Sequence, residues 1–401
     1  MAEGALTGIK VLAFEQAAAG PFGTHLLADM GAEVIKIEAP TGDVVRTWDN
    51  VVHGNATDPK DYLSSGYTWL SRRKKSVTVN TRNPTGLEIL RRLASQADVF
   101  LVNAAPGLPD RLGLGWETLH ELNPRLVYCS LTGYGMTGPY KDMKAYDLLI
   151  QGESGILLSN GYPEAPAKVG VPISDIAAGM YAALGITMAL YQRERSGVGQ
   201  LVDVAMFETM LEWLGYFPQH YWHSGALLQR VGMRHHFVVP YGVYLARDGK
   251  YINVVVASPR DWEMMCRDVV ERPDLLQDPK YATSPLRREN RVELEKTFED
   301  VFATRDSVEW LARLKKADLP FGEVRDVDEV LAHPQVGPRG LIREVDSPLG
   351  PLPTIETALR LSESPVQEGP IPSLGGNTDE VLRDAGYTED EIKRFHAEGA
   401  V

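Results

Sequence analysis

The run Gly8 to Phe14 (GIKVLAF) reads as a strand buried on both faces, and the helix-then-strand pattern directly after it constrains the fold most. After Gly20 and Pro21, Phe22, Leu26, Leu27 and Met30 recur at helical spacing, Gly31 stops the helix, and Glu33 to Ile37 supplies a second strand. Strand, helix and strand in so short a space predict parallel strands joined by a right-handed crossover. The alternation resumes at helix Pro84 to Ala97 and continues through strand Val99 to Val102, helix Trp116 to Leu122 and strand Leu126 to Leu131. The predicted class is α/β, with a doubly wound, Rossmann-like body.

The middle of the chain changes character. Val243 to Leu245 and Tyr251 to Val255 flank an Asp248-Gly249 pair, which predicts a hairpin, and helices are expected at 260–271, 292–302 and 307–316. The expected division is a large domain over 1–223, a small α+β domain over 224–330, and a return segment over 331–401 that completes the large domain. Two helices are expected near the end, the second opened by a capping box of Thr388 with Glu391.

With 41 basic and 54 acidic residues the net charge is −13, which argues against a general nucleic-acid binder. Cys129 and Cys266 stand far apart, so neither a disulfide framework nor a cysteine zinc site is expected, and a reducing compartment fits. No secretory leader is read at the N-terminus, and the apolar stretch Ile176 to Gln192 reads as a buried helix rather than a membrane span. The expected location is the cytoplasm.

Gly133-x-Gly135-x-x-Gly138 comes after a strand, as a dinucleotide fingerprint does, but Pro139, Tyr140, Lys141 and Asp142 stand where an apolar helix should open. It reads instead as a glycine-rich active-site loop. His220, His223, His235 and His236 lack the companions of a metal set, so no metal is expected, and His235 and His236 read as lining a cleft at the domain junction. The basic run Arg72-Arg73-Lys74-Lys75 has two readings, a solvated turn or a phosphate clamp to which Arg46 and Arg111 add.

Asp175 opens the small-residue helix that comes after Gly170-Val171-Pro172-Ile173-Ser174. As an N-cap it needs no function. The helix dipole would also keep its carboxylate ionised and competent as a nucleophile toward an activated acyl group. The residues alone leave cap and nucleophile open.

The chain resembles the class III coenzyme A transferases, the family of formyl-CoA transferase, the carnitine CoA-transferases and α-methylacyl-CoA racemase. The resemblance spans essentially the whole length. It rests on Gly8-Ile9-Lys10-Val11-Leu12 with Ala19-Gly20-Pro21, on the run Leu27 to Glu38, on Lys74-Lys75-Ser76, and on Asp98 to Asn103. It continues with Leu131-Thr132-Gly133-Tyr134-Gly135, Ser196-Gly197-Val198-Gly199-Gln200, Val202 to Met206 and the tail Leu374 to Leu382.

This resemblance implies a large domain of N- and C-terminal segments, an inserted small domain, and a homodimer of two interlocked chains. It places the nucleophile at Asp175, which would form an aspartyl anhydride and then an aspartyl-CoA thioester. Coenzyme A enters as substrate, with no permanently bound cofactor, and its implied contacts are Ala17, Ala18, Lys74, Asn103, Arg111, Leu112, Thr132 and Tyr134. Two departures matter. Ala18 stands where formyl-CoA transferases use Gln, and their mobile glycine loop is missing, which argues against oxalate as acceptor. Tyr146-Asp147 stands where the racemases carry His-Asp, and a phenol with an ordinary pKa of about 10 is a poor proton shuttle at neutral pH.

The expected reaction therefore moves CoA from succinyl-CoA or a similar donor to a C4–C6 dicarboxylate, with an aromatic acid as the competing acceptor. Arg46, Arg72, Arg73, Tyr146, Arg234, His235 and His236 are the candidate substrate residues. A racemase-type isomerase and a non-catalytic subunit of a heteromeric transferase are the alternatives.

Overall fold

The structure is a computed structural model that describes residues 3–49, 51 and 58–401. Its main sheet has six parallel strands: β1 (Lys10–Phe14), β2 (Glu33–Glu38), β3 (Lys74–Thr78), β4 (Val99–Val102), β5 (Val127–Thr132) and β6 (Leu201–Ala205). They lie in the order β3-β2-β1-β4-β5-β6, so that Val11 pairs with Val34 on one side and Val99 on the other. Alternate side chains serve opposite faces. Val11, Ala13, Val99, Leu101 and Val127 pack on the helices Ala19–Asp29 and Ile173–Ser196. Leu12, Ile35, Phe100 and Tyr128 pack on Pro84–Ser95, on Trp116–Leu122 and on the C-terminal helices Thr378–Asp384 and Glu389–Ala397. Both faces are covered, as a parallel sheet requires.

The chain packs as two units. The first comprises Met1–Ile156, Val169–Gly215 and Gly337–Val401, and the second Leu157–Lys168 and Tyr216–Val336. The second unit has an antiparallel sheet in which Tyr241–Leu245 and Phe321–Glu323 flank Tyr251–Val255. Its core gathers Tyr244, Trp262, Phe298, Phe302 and Trp310. The helix predicted over 260–271 is α-helical only over Pro259–Met264 and then widens into a π-turn over Met265–Val269.

Among the described residues Ile173–Ser196 is the one helix long and apolar enough to cross a membrane by length and composition. Ala177, Ala178, Ala182, Ile186 and Ala189 are buried in the first unit's core, which accounts for its composition.

Candidate active site

The strand order reverses between β1 and β4, so the loops leaving their carboxyl ends diverge and open a crevice. A cleft of about 680 Å³ lies there. Gln16 to Ala19 after β1, Asn103 to Pro106 after β4, Leu131 to Gly133 at the end of β5 and Met206 after β6 line it. Val44, Trp48, the segment Met143 to Leu148, Pro172 and Asp175 complete the wall.

Two glycines bring Asp175 to this place. A Cβ on Gly23 would stand 2.7 Å from the carbonyl oxygen of Gly179, and one on Gly179 would stand 2.6 Å from that of Ala19. Only hydrogen fits at that crossing, so the two helices touch backbone to backbone. Ala19 lies one turn before Gly23, and Asp175 one turn before Gly179, so the close crossing sets both helix starts on the same cleft.

Asp175 is not the N-cap that its sequence position suggested. The helix begins at Ile173 after Pro172, and Asp175 sits in its first turn. Asp147 does the capping from outside: its Oδ1 accepts from the Ser174 N–H at 3.0 Å and from Ser174 Oγ at 2.8 Å, while Oδ2 accepts from Gln151 Nε2 at 2.8 Å. No hydrogen bond from another described residue reaches the Asp175 carboxyl. The expectation that this carboxylate is held ionised is corrected as well. Burial, helped by the negative charge of Asp147, pushes its pKa up to about 7. The Asp175 carboxyl is thus half-buried in the first turn of its helix, with a like charge beside it and no donor among the described residues.

The other predicted contacts divide into four groups. Ala17, Ala18, Asn103, Thr132 and Tyr146 line the cleft with Asp175. Asn103 joins three segments there, accepting from the Gly20 N–H at 3.3 Å and donating to the Leu131 carbonyl at 3.3 Å. Thr132 Oγ1 accepts from the Gly135 N–H at 2.8 Å, so the Gly133–Gly138 segment is the loop expected, with no helix opening from it. Tyr146 is 71% exposed, and among the described residues none makes a hydrogen bond to its hydroxyl that would make it a base. Tyr134, Arg111 and Leu112 lie off the cleft wall: Tyr134 packs on Tyr140 and Phe207, Arg111 is exposed, and the Leu112 carbonyl accepts from Arg91.

The third group is a correction. Lys74, Arg46, Arg72 and Arg73 are neither a solvated turn nor a free phosphate clamp; all four sit in ion pairs inside the first unit. Lys74 Nζ donates to Glu15 Oε1 at 2.9 Å and to Thr24 Oγ1 at 2.7 Å, and burial pushes its pKa down to about 8. Arg46 meets both oxygens of Glu38 at 2.9 Å and lies over the Tyr67 ring at 3.7 Å. Arg72 and Arg73 grip the two oxygens of Asp29, at 2.9 and 2.6 Å, and Arg73 also reaches Glu356 of the returning C-terminal segment. The run is drawn into the body because strand β3 begins at Lys74, in the middle of it.

Arg234, His235 and His236 belong to the second unit. Arg234 donates to the Val243 carbonyl and to Glu299 and lies 4.1 Å over the Tyr244 ring. His235 Nδ1 accepts from the Phe237 and Val238 N–H groups, and its ring stacks on Tyr241. His236 Nδ1 pairs with the Tyr216 hydroxyl at 3.1 Å, and burial lowers its pKa, so the ring is neutral at pH 7. Among the described residues no group of three His, Cys, Asp or Glu side chains is placed to hold a metal.

Sequence reasoning missed Asp147 as the cap, since it acts from 27 residues upstream, and it missed Lys144 on the cleft and Lys141 in the adjoining pocket. The Gly-Pro-Phe-Gly and Ala-Ala-Gly-Met stretches carried the one local signal for the helix crossing, a glycine one turn beyond the cleft residue on each helix.

The sequence profile of CoA-transferase family III matches residues 6–378. The chain is 35% identical over 402 residues to human succinyl-CoA:glutarate CoA-transferase, covering 99% of this chain and 90% of the relative. It is 33% identical over 416 residues to the formyl-CoA:oxalate CoA-transferase of Streptomyces avermitilis, covering 99% of both. A CAIB/BAIF family protein from Brucella suis superposes with a TM-score of 0.84 at 32% identity, over 96% of this chain and 100% of that one. A parallel sheet with a carboxyl-end cleft, and relatives matched along nearly their whole length, make this protein a member of CoA-transferase family III and so an enzyme that transfers coenzyme A.

Proposed function

We propose that Asp175 is the nucleophile of a succinyl-CoA-type donor and dicarboxylate acceptor exchange. The observation that carries this reading is the Asp175 carboxyl itself, on the cleft wall with no internal donor. Its carboxylate attacks the thioester carbonyl, the C–S bond breaks, and an aspartyl-acyl anhydride and CoA thiolate result. The thiolate attacks the aspartyl carbonyl of the anhydride, releasing the donor acid and leaving an aspartyl-CoA thioester. The acceptor carboxylate attacks that thioester and expels the thiolate, which takes the acceptor's acyl group from the new anhydride and frees Asp175. No water is consumed at any step, so the apolar wall of Ala17, Ala18, Trp48 and Met206 serves the chemistry by keeping water away from the anhydride.

Relatives named for succinyl-CoA and glutarate support a dicarboxylate acceptor, and Ala18 and the lack of a glycine loop argue against oxalate. Lys144 on the cleft and Lys141 beside it are the exposed cations placed for CoA phosphates, a part that the internally paired Lys74 and Arg46 cannot play. The isomerase reading would need a base where Tyr146 stands. The working form is a cytoplasmic homodimer of interlocked chains, in which a second copy covers the exposed Met180, Leu184, Met188 and Tyr191 along one helix.

Intact-protein mass spectrometry after mixing with succinyl-CoA tests the reading. A covalent increment that maps to Asp175 is expected. An increment only with other acyl-CoA donors would discard the donor, and none with any donor would discard the mechanism.

A further inference from the structure

We propose that Asp43 is a positioning residue for the cleft, holding Ala17 in a left-handed backbone conformation and tying that turn to the Val44–Trp48 wall. The inference rests on reading the cleft as the acyl-CoA site. Ala17 has φ of 59°, a conformation its β-carbon disfavours, and it lines the cleft directly. Such a turn persists only where its surroundings impose it. Here the Asp43 carboxylate does so: Oδ1 accepts from the Ala17 N–H at 3.2 Å and from the Val45 N–H at 3.1 Å.

The carboxylate is itself locked. Its Oδ2 accepts from Lys36 Nζ at 2.7 Å, and both side chains are shut off from solvent. Lys36 also stands 3.6 Å from Glu15, two residues before Ala17, so one buried ammonium anchors both ends of the device. The Asp43 N–H donates to Glu38 Oε2 at 3.0 Å, which fixes the backbone behind it. Two cleft walls from separate loops therefore meet on one oxygen atom, and Asp43 itself does not line the cleft. It acts through Ala17 and Val44.

The test compares wild type, D43A, A17G, D43N and D43A/A17G by CoA-exchange kinetics, thermal melting and deuterium exchange of the peptide containing Ala17. D43A is expected to lose protection at the Ala17 amide and to drop in kcat/KM about tenfold, the loss of one well-placed hydrogen bond. A17G in the same chain should return kcat/KM to within about threefold, because glycine takes positive φ without the steric penalty. D43N keeps an acceptor oxygen and should lie closer to wild type than D43A. A double variant no better than D43A, with both folded by melting, overturns the inference, as does unchanged kcat/KM in D43A. If D43A does not fold, D43N against D43N/A17G decides in the same way. If the wild type exchanges no CoA, the functional reading fails on its own, and unchanged protection of the Ala17 amide in D43A would still overturn the positioning role.

Discussion

Glu38 and Asp175 are both carboxyl groups drawn out of water in the same unit, and their acidities move in opposite directions. Burial raises the pKa of each, but Glu38 answers it with Arg46, Lys36 and the Ser76 hydroxyl, and ends at about 2. Asp175 has Asp147 for a neighbour and ends at about 7. The contrast is between a buried carboxyl supplied with cations and one supplied with none. Under β1 to β3 the buried carboxylates have cations: Glu15 has Lys74, Asp43 has Lys36, Asp29 has Arg72. At the cleft the carboxylate is left unmatched, and its charge is available to a ligand.

The largest effect should come from Asp175→Ala, which removes the proposed nucleophile and is expected to lower CoA exchange at least about a thousandfold while the protein stays folded. Turnover near wild type by that variant would place the chemistry elsewhere and erase the contrast with Glu38.

Breaking the scaffold side should cost stability instead. Glu38→Ala removes the buried carboxylate that Arg46 meets with two hydrogen bonds and should destabilise by about 3–5 kcal/mol in a denaturant titration at pH 7. The sign with pH also differs between the two groups. Glu38 has a depressed pKa, so its stabilisation is present above the ordinary carboxyl range and fades as pH falls toward about 2. Asp175 has a raised one, so the stability it lends at low pH is lost as pH rises through about 7. Asp175→Asn should therefore melt at a higher temperature than wild type at pH 8 and at nearly the same temperature at pH 4. Equal melting at both would show that the carboxyl is not held against ionisation.

Gly179→Ala probes the geometric half of the contrast. Its β-carbon meets the Ala19 carbonyl oxygen at 2.6 Å, so the helices must part, at a cost of about 1–3 kcal/mol and with a larger loss in kcat than in CoA binding. Full activity in this variant would mean the crossing does not set the distance between Asp175 and the Ala17–Ala19 turn.

The smallest expected effect is a shift of a pH profile. With Asp175 as the proposed nucleophile, covalent capture of an acyl group needs it ionised, so the rate should rise with pH through about 7. Asp147→Asn removes the like charge but leaves the burial, so the midpoint should move down without reaching the ordinary carboxyl value. A midpoint that stays put would assign the whole shift to desolvation.

Much of this was legible along the chain. Strands β1 and β4 announce themselves by unbroken apolar runs, Val11 to Phe14 and Val99 to Val102, and the capping box of Thr388 and Glu391 forms as its spacing predicts. Asp175 was singled out by position, though it sits in the first turn of its helix and is not the N-cap. The cations misled. A basic tetrad looks the same in a sequence whether water or carboxylates surround it, and the partners of Arg72, Arg73 and Lys74 lie 43, 283 and 59 residues away.

The α/β class, the parallel crossovers and the family were all written in the chain, because they depend on periodicity and on residues adjacent in sequence. Which charges are matched was left to the three-dimensional fold. Acidity depends on what surrounds a group in space, and it took the crossing at Gly23 and Gly179 and the return of Asp147 to leave one carboxyl facing the cleft without a donor.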